Sequence, residues 1–269
     1  MTSTVESKRD RCETIASDST AVMTEFEPAG VIINVHGVGV PDRPFDPGEE
    51  PFWIDEKRFA DILDVIVSAR AKTRVSLTFD DGNLSDLTTA APALLERGIH
   101  ATFFVVAGRI GQRGFLRAAD IRELRRAGFA IGSHGFDHID WQRTDDRRLR
   151  HELRDSRRII EDILGESVTA AGIPFGRYDA RVFRGLREHG YTVALSSDGG
   201  PRLTSLWPIP RRSVRQDMAI SEVATLIRDG GSLLRRVEQE VRLCGKILAL
   251  RAQAARPGQR LALRERRPG

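Results

Sequence analysis

Cysteine is nearly absent from this chain: Cys12 and Cys244 stand near opposite ends of 269 residues. That excludes a disulfide framework and a thiolate zinc site, both of which need several closely spaced cysteines. Long apolar runs are missing too. No stretch approaches the roughly 18 residues of a membrane span, and the polar, mixed-charge segment from Met1 to Gly30 has no apolar core of a secretory leader. Aromatic residues make up only 6% of the chain, and they are not interleaved with the arginines. The net charge of +4 therefore does not describe a nucleic-acid groove, which alternates basic side chains with stacking rings. These absences predict a cytoplasmic globular protein with no nucleic-acid partner.

What is present is a regular alternation. After a lead-in over residues 1–25, short apolar runs at Val31–His36, Arg74–Phe79, His100–Ala107, Phe129–Ser133, Val168–Ile173, Thr192–Ser196 and Pro208–Val214 read as strands. Amphipathic stretches between them, at Glu56–Arg70, Ser85–Arg97, Ala119–Ala127, Asp145–Leu164 and Ala180–His189, read as helices, several stopped by glycine. About seven βα units in one run suit a parallel α/β barrel or a doubly wound sheet. His36, Asp80-Asp81, His134, Pro174-Phe175-Gly176 and Asp198 all fall at the C-terminal ends of predicted strands. A barrel gathers those ends on one face, where active sites are built; the barrel is therefore the expectation, over residues 26–228.

Asp81, His134 and His138 can supply three protein ligands to a hydrolytic metal and leave a position for water. A general base is still needed for the proton, and Asp80, next to the liganding carboxylate, is placed for it. An isolated Asp-Asp-Gly is commonly a turn, and an isolated His-x-x-x-His is weak. Their joint occurrence at strand ends carries the reading.

Thr78-Phe79-Asp80-Asp81-Gly82 and His134-x-x-x-His138 resemble the first two motifs of the polysaccharide deacetylases, the NodB-homology family (carbohydrate esterase family 4). The resemblance implies a distorted (β/α)7-type barrel that removes N-acetyl groups from amino sugars. It implies Asp80 as base, Asp81, His134 and His138 on a divalent ion, zinc first with cobalt, nickel or manganese as alternatives, and an acetylated amino sugar as substrate. The later motifs depart from the family pattern. Gly135 stands where Ser or Thr is usual, and Gly172 replaces the arginine before Pro174-Phe175-Gly176, with Arg177 a nearby candidate donor. Ser197-Asp198-Gly199 lacks the usual tryptophan, and Ile209-Pro210-Arg211-Arg212 occupies the place of the histidine that protonates the leaving amine. His36, which resembles the His-Gly opening of exopolysaccharide-type deacetylases, is the expected substitute acid. Pro174, Phe175, Gly176, Asp198 and Trp141 are the expected substrate contacts, Trp141 as a stacking face for a pyranose. His100 is expected in a core or on the barrel rim.

Residues 229–269 change character. Leu233-Leu234, Val237, Val241, Leu243-Cys244, Ile247-Leu248 and Leu250 recur at helical spacing among Arg235, Arg236, Arg242, Lys246 and Arg251. This basic amphipathic helix is expected to pack on the barrel or on a second copy of the chain, or else to rest on anionic lipid at the inner membrane face. Three functions stay open: an N-deacetylase, a carbohydrate-binding barrel that has lost catalysis, and a hydrolase of a non-sugar amide.

Overall fold

Period-two alternation decides which side chains enter the barrel and which face the helices. A computed structural model describes residues 30–201, 207–230 and 232–254; the lead-in, Cys12 and the tail from Ala255 lie outside them. The strands are β1 (Gly30–Val35), β2 (Gly37–Val38), β3 (Trp53–Ile54), β4 (Arg74–Phe79), β5 (Ala101–Val105), β6 (Ala130–Ser133), β7 (Ala170–Gly172), β8 (Val193–Ser196), β9 (Ile209–Pro210) and β10 (Arg212–Ser213). The helices are α1 (Glu56–Ala69), α2 (Ala91–Glu96), α3 (Ala118–Arg126), α4 (Asp146–Arg150), α5 (Ser156–Leu164), α6 (Ala180–Glu188), α7 (Ile220–Gly230) and α8 (Leu233–Ala254).

The main sheet runs β10-β1-β4-β5-β6-β7-β8-β9, and every pairing is parallel. Its two edges are halves of one segment: Ile209 and Pro210 pair with β8, while Arg212 and Ser213 pair with β1. The predicted strand over Pro208–Val214 is therefore split, with Arg211 at the break. Eight strands, less one for this shared stave, leave seven staves and a nearly closed barrel. The segment expected as one helix over Asp145–Leu164 is α4, a wide π-type turn at His151–Asp155, and α5 in succession. His100 is exposed just ahead of β5, not in a core, because the strand begins one residue later.

Val31, Ile33, Val35, Leu77, Phe79, Phe103, Val105 and Ile131 face outward into the main core under the helices. Phe59 of α1 meets Phe79 edge-on, Phe79 stacks on Phe103 at 4.7 Å, and Phe103 meets Phe129 edge-on. The alternate residues face inward. Ile32, Phe104, Ala170, Val193, Leu195 and Ile209 form a separate apolar plug inside the barrel. One turn nearer the strand ends, the same inner face becomes polar: Asn34, Thr78, Asp80, His134 and Arg211 are all buried. The plug closes the barrel floor, and the polar layer above it faces the cleft.

Helix α8 lies against this body through one face. Leu243 and Gln239 are buried, Gln239 donates to the Gly199 carbonyl, and Lys246 ion-pairs Asp198. The opposite face presents Leu234, Val237, Val241 and Leu248, between 41% and 68% exposed. Among the described residues no helix is long and apolar enough to cross a membrane.

Candidate active site

Asp80 and Asp81 leave β4 together, and successive residues of an extended strand would face opposite ways. The chain reverses at Asp81 itself, whose φ is +76°, with Gly82 following at +68°. His138 and Phe175 also have positive φ, +55° and +57°. Such backbone is costly outside glycine and persists where surrounding contacts over-determine it. Here all three positions border the same cleft.

One contact that fixes the histidine loop is Glu152. This buried carboxylate accepts the Phe136 N–H at 2.9 Å, the Asp137 N–H at 3.0 Å and the Trp141 indole N–H at 3.3 Å. Gly135 is explained by the same group: its φ is +82°, and a Cβ there would lie 2.6 Å from Glu152 Oε2. The Ser or Thr expected from the family pattern has no room. Trp141 is accordingly not a sugar platform. It is fully buried, and its carbonyl accepts from Arg181. Glu152→Ala should leave these three donors unmet and weaken metal affinity about 10–100-fold. Zinc titration checks this; unchanged affinity in a merely less stable protein would count against it.

Asp81, His134 and His138 offer one ligand atom each, all within 4.8 Å of one another. His138 Nε2 is 3.3 Å and His134 Nε2 3.8 Å from Asp81 Oδ1, an oxygen that is buried with no hydrogen-bond partner. His134 Nδ1 lies 2.9 Å from the Gly172 carbonyl. A carbonyl only accepts, so Nδ1 carries the proton and Nε2 turns its lone pair to the cluster. Burial, first, lowers the His134 pKa to about 4, which keeps the ring neutral and able to ligate. Behind the cluster, Asp86 is buried with both oxygens unpartnered. Burial, with Asp81 and Asp80 nearby, pushes its pKa well up. That keeps Asp86 protonated, so two buried carboxylates, Asp80 and Asp81, face the single guanidinium of Arg211. A divalent cation suits that charge excess, the orphaned oxygen and the two-nitrogen, one-oxygen donor set.

Asp80 is held separately. Arg211 donates Nη1 to Oδ1 at 2.8 Å and Nη2 to Oδ2 at 2.9 Å, and Asn34 donates to Oδ2 at 2.9 Å. Burial would raise this carboxyl, but the guanidinium and the imidazoles of His134 and His36 outweigh it and hold Asp80 well below the usual carboxylate range. The charge that Gly172 lacks therefore arrives from the closing strand. A Cβ at Gly172 would stand 3.0 Å from His134 Nδ1 and 3.3 Å from Arg211 Nη2, so glycine keeps the space the guanidinium occupies. Arg177, the expected donor, is bonded to Asp140 instead. Sequence reasoning passed over Arg211, although the alternation Ile209, Arg211, Ser213 marks it as inward-facing.

The remaining candidates divide. His36 lies with Nε2 3.9 Å from Asp80 Oδ2, its ring 4.9 Å from that of Phe52 and its buried Nδ1 without a partner. Phe175 is 55% exposed and tilted against the His138 ring at 4.7 Å. Pro174 is buried and Gly176 packs on Ser197, so these two set the turn that presents Phe175. Asp198 is outside the cleft: it accepts from Tyr178 at 2.7 Å and Ser196 at 2.6 Å and pairs with Lys246. The cleft itself measures about 790 Å³.

Comparison with known proteins starts from this geometry. Residues 68–194 match the family model of polysaccharide deacetylase. The Bacillus subtilis protein YxkH is 27% identical over 126 residues, 47% of this chain and 45% of that protein. Peptidoglycan-N-acetylglucosamine deacetylase PgdA of Listeria monocytogenes is 27% identical over 118 residues, 44% of this chain and 24% of that one. This chain thus spans less than half the length of either relative. Among solved structures, the deacetylase PplD of Streptococcus pyogenes shares the fold with a TM-score of 0.65 at 20% identity, covering 74% of this chain and 99% of that one. The matched segment runs from the end of α1 into β8. It takes in both aspartates and both histidines that the barrel gathers at its mouth, and over this segment, a little under half of its length, the chain is similar to polysaccharide deacetylases.

Proposed function

We propose that this barrel is a hydrolase that removes N-acetyl groups from amino-sugar residues of an oligo- or polysaccharide or of a lipid-linked glycan. Asp81, His134 and His138 would hold a divalent ion, zinc first. Such an ion supplies Lewis acidity, polarising the acetyl carbonyl and making water acidic enough to lose a proton near neutral pH. The chain's own residues do the rest. Asp80 takes the proton of the attacking water while Arg211 and Asn34 keep its carboxylate ionised and aimed. His36 gives a proton to the departing amine nitrogen, so that water and amide become acetate and a free amine. Phe175 offers an apolar face to the sugar ring.

The observation that carries this reading is the separation of tasks between adjacent carboxylates: Asp81 Oδ1 has no hydrogen-bond partner, while Asp80 accepts from three N–H groups. The sugar class is supported by the names of relatives such as the peptidoglycan-N-acetylglucosamine deacetylase. The alternative of a barrel that has lost catalysis rested partly on the missing arginine, and Arg211 removes that ground. A cytoplasmic setting belongs to the same proposal, with the outward stripe of α8 on the inner membrane face or on a second copy of the chain. The test is acetate release from N-acetylated chito-oligosaccharides and a panel of acetylated amino sugars. Release by the zinc-loaded protein, lost with chelator and restored by metal, is expected. No acetate from any metal-loaded sample, or release indifferent to complete metal removal, would overturn the proposal.

A further inference from the structure

The cleft wall beyond the reacting groups is unusual in what it offers a sugar. It carries four arginines, Arg109, Arg177, Arg212 and Arg215, and no asparagine, glutamine or lysine. Two acids also line it, but both are neutralised in place: Asp46 ion-pairs Arg109, and Glu49 ion-pairs Arg43. Arginine donates hydrogen bonds and cannot accept them. A neutral sugar hydroxyl placed here would find donors in excess of acceptors, which are Ser197, Ser213 and the ion-paired Asp46 and Glu49.

Arg212 and Arg215 follow one another at the end of the closing strand. Arg212 is exposed and has no ion-pair partner among the described residues. Arg215 lies over the Phe52 ring at 5.3 Å, and its pair with Asp217 is open to solvent, with side chains 43% and 68% exposed. Arg177 holds Asp140 from a side chain that is 53% exposed. Exposed pairs of this kind hold their partners weakly. They yield readily to a planar or tetrahedral anion that guanidinium groups meet bidentately. At the reacting end Asp80 is balanced by Arg211, and the charge of Asp81 would be met by the divalent ion. A surplus of one sign of charge at a cleft rim concentrates ligands of the other.

We infer that the acetylated amino sugar taken by this cleft carries an anionic group, a phosphate ester or a carboxylate, bound at the rim by Arg212 and Arg215. The inference rests on the deacetylase reading above and narrows its substrate. It is tested on the zinc-loaded protein with N,N'-diacetylchitobiose, the same disaccharide bearing a phosphate ester, and an N-acetylated disaccharide bearing a uronate. The anionic substrates are expected to show kcat/KM about tenfold or more above the neutral one, a preference that shrinks as salt is raised to about 0.5 M. Preference for the phosphate alone, or for the uronate alone, identifies which anion the rim takes, and either supports the inference. In Arg212→Ala and in Arg215→Ala the ratio of anionic to neutral kcat/KM should fall toward one, and Arg212→Lys should keep part of it.

Equal rates on neutral and anionic substrates, with ratios unmoved in the variants, would overturn the inference and leave the deacetylase reading standing. If no substrate releases acetate, that reading falls; binding of the same three sugars to the zinc-loaded Asp80→Asn protein then decides the inference. Tighter binding of an anionic member, lost in the added Arg212→Ala variant, sustains it, and equal binding ends it.

Discussion

Asp80→Asn should abolish acetate release, with a loss of about 10²–10⁴-fold or more if no other group takes the proton. The amide matches the carboxylate in size but accepts no proton, and its NH₂ would oppose the Arg211 donors now bound to both oxygens. A buried guanidinium without its partner carries a penalty of about 3–5 kcal/mol, so lowered thermal stability is expected alongside. Metal content separates loss of the base from loss of the fold. Asp81, His134 and His138 are untouched in this variant, and zinc should bind as in the parent protein. His134→Ala should lose zinc. Turnover that persists in folded, zinc-loaded Asp80→Asn would remove Asp80 from the role of base.

Arg211→Met carries the second large effect. With the cation gone, Asp80 stays buried with Asn34 as its remaining side-chain donor, and desolvation is then less opposed. Removing a positive neighbour raises a carboxyl pKa. The acid limb of the kcat/KM profile should therefore move to higher pH, and activity at neutral pH should fall by about 10²-fold. Part of the loss should return as pH rises, because an alkaline medium re-ionises Asp80. A merely unfolded fraction would not recover in this direction. An unshifted acid limb would show that Arg211 supports the barrel seam and does not tune the base. The same substitution opens the point where the last stave passes from β8 to β1, and a lower Tm is expected with it.

These two residues also mark the boundary of what could be read without coordinates. Asp80, Asp81, His134 and His138 stood out because chemistry-bearing side chains sat together at strand ends, and a parallel barrel delivers strand ends to one face whatever its loops do. His36 was visible on the same ground. Arg211 was hidden by a local reading, in which Ile209-Pro210-Arg211-Arg212 counted only as a missing histidine. Its partner is 131 residues away in sequence, and no nearby residue announces it. Trp141 was misplaced for the opposite reason: nearness to His138 along the chain suggested a shared cleft, whereas the indole turns inward to Glu152.

Alternation and spacing determined that this chain pairs parallel strands between helices, and the motif positions at strand ends pointed to a barrel with two carboxylates and two imidazoles at one end. Those features follow from backbone periodicity, which each strand carries within itself. Tertiary structure decided the rest: that Asp80 is gripped from the far end of the barrel, that Gly172 and Gly135 are spaces kept for Arg211 and Glu152, and that Asp198 anchors α8 outside the cleft. Such facts depend on which side chains compete for the same few ångströms after distant segments have packed, and a linear sequence does not state that competition.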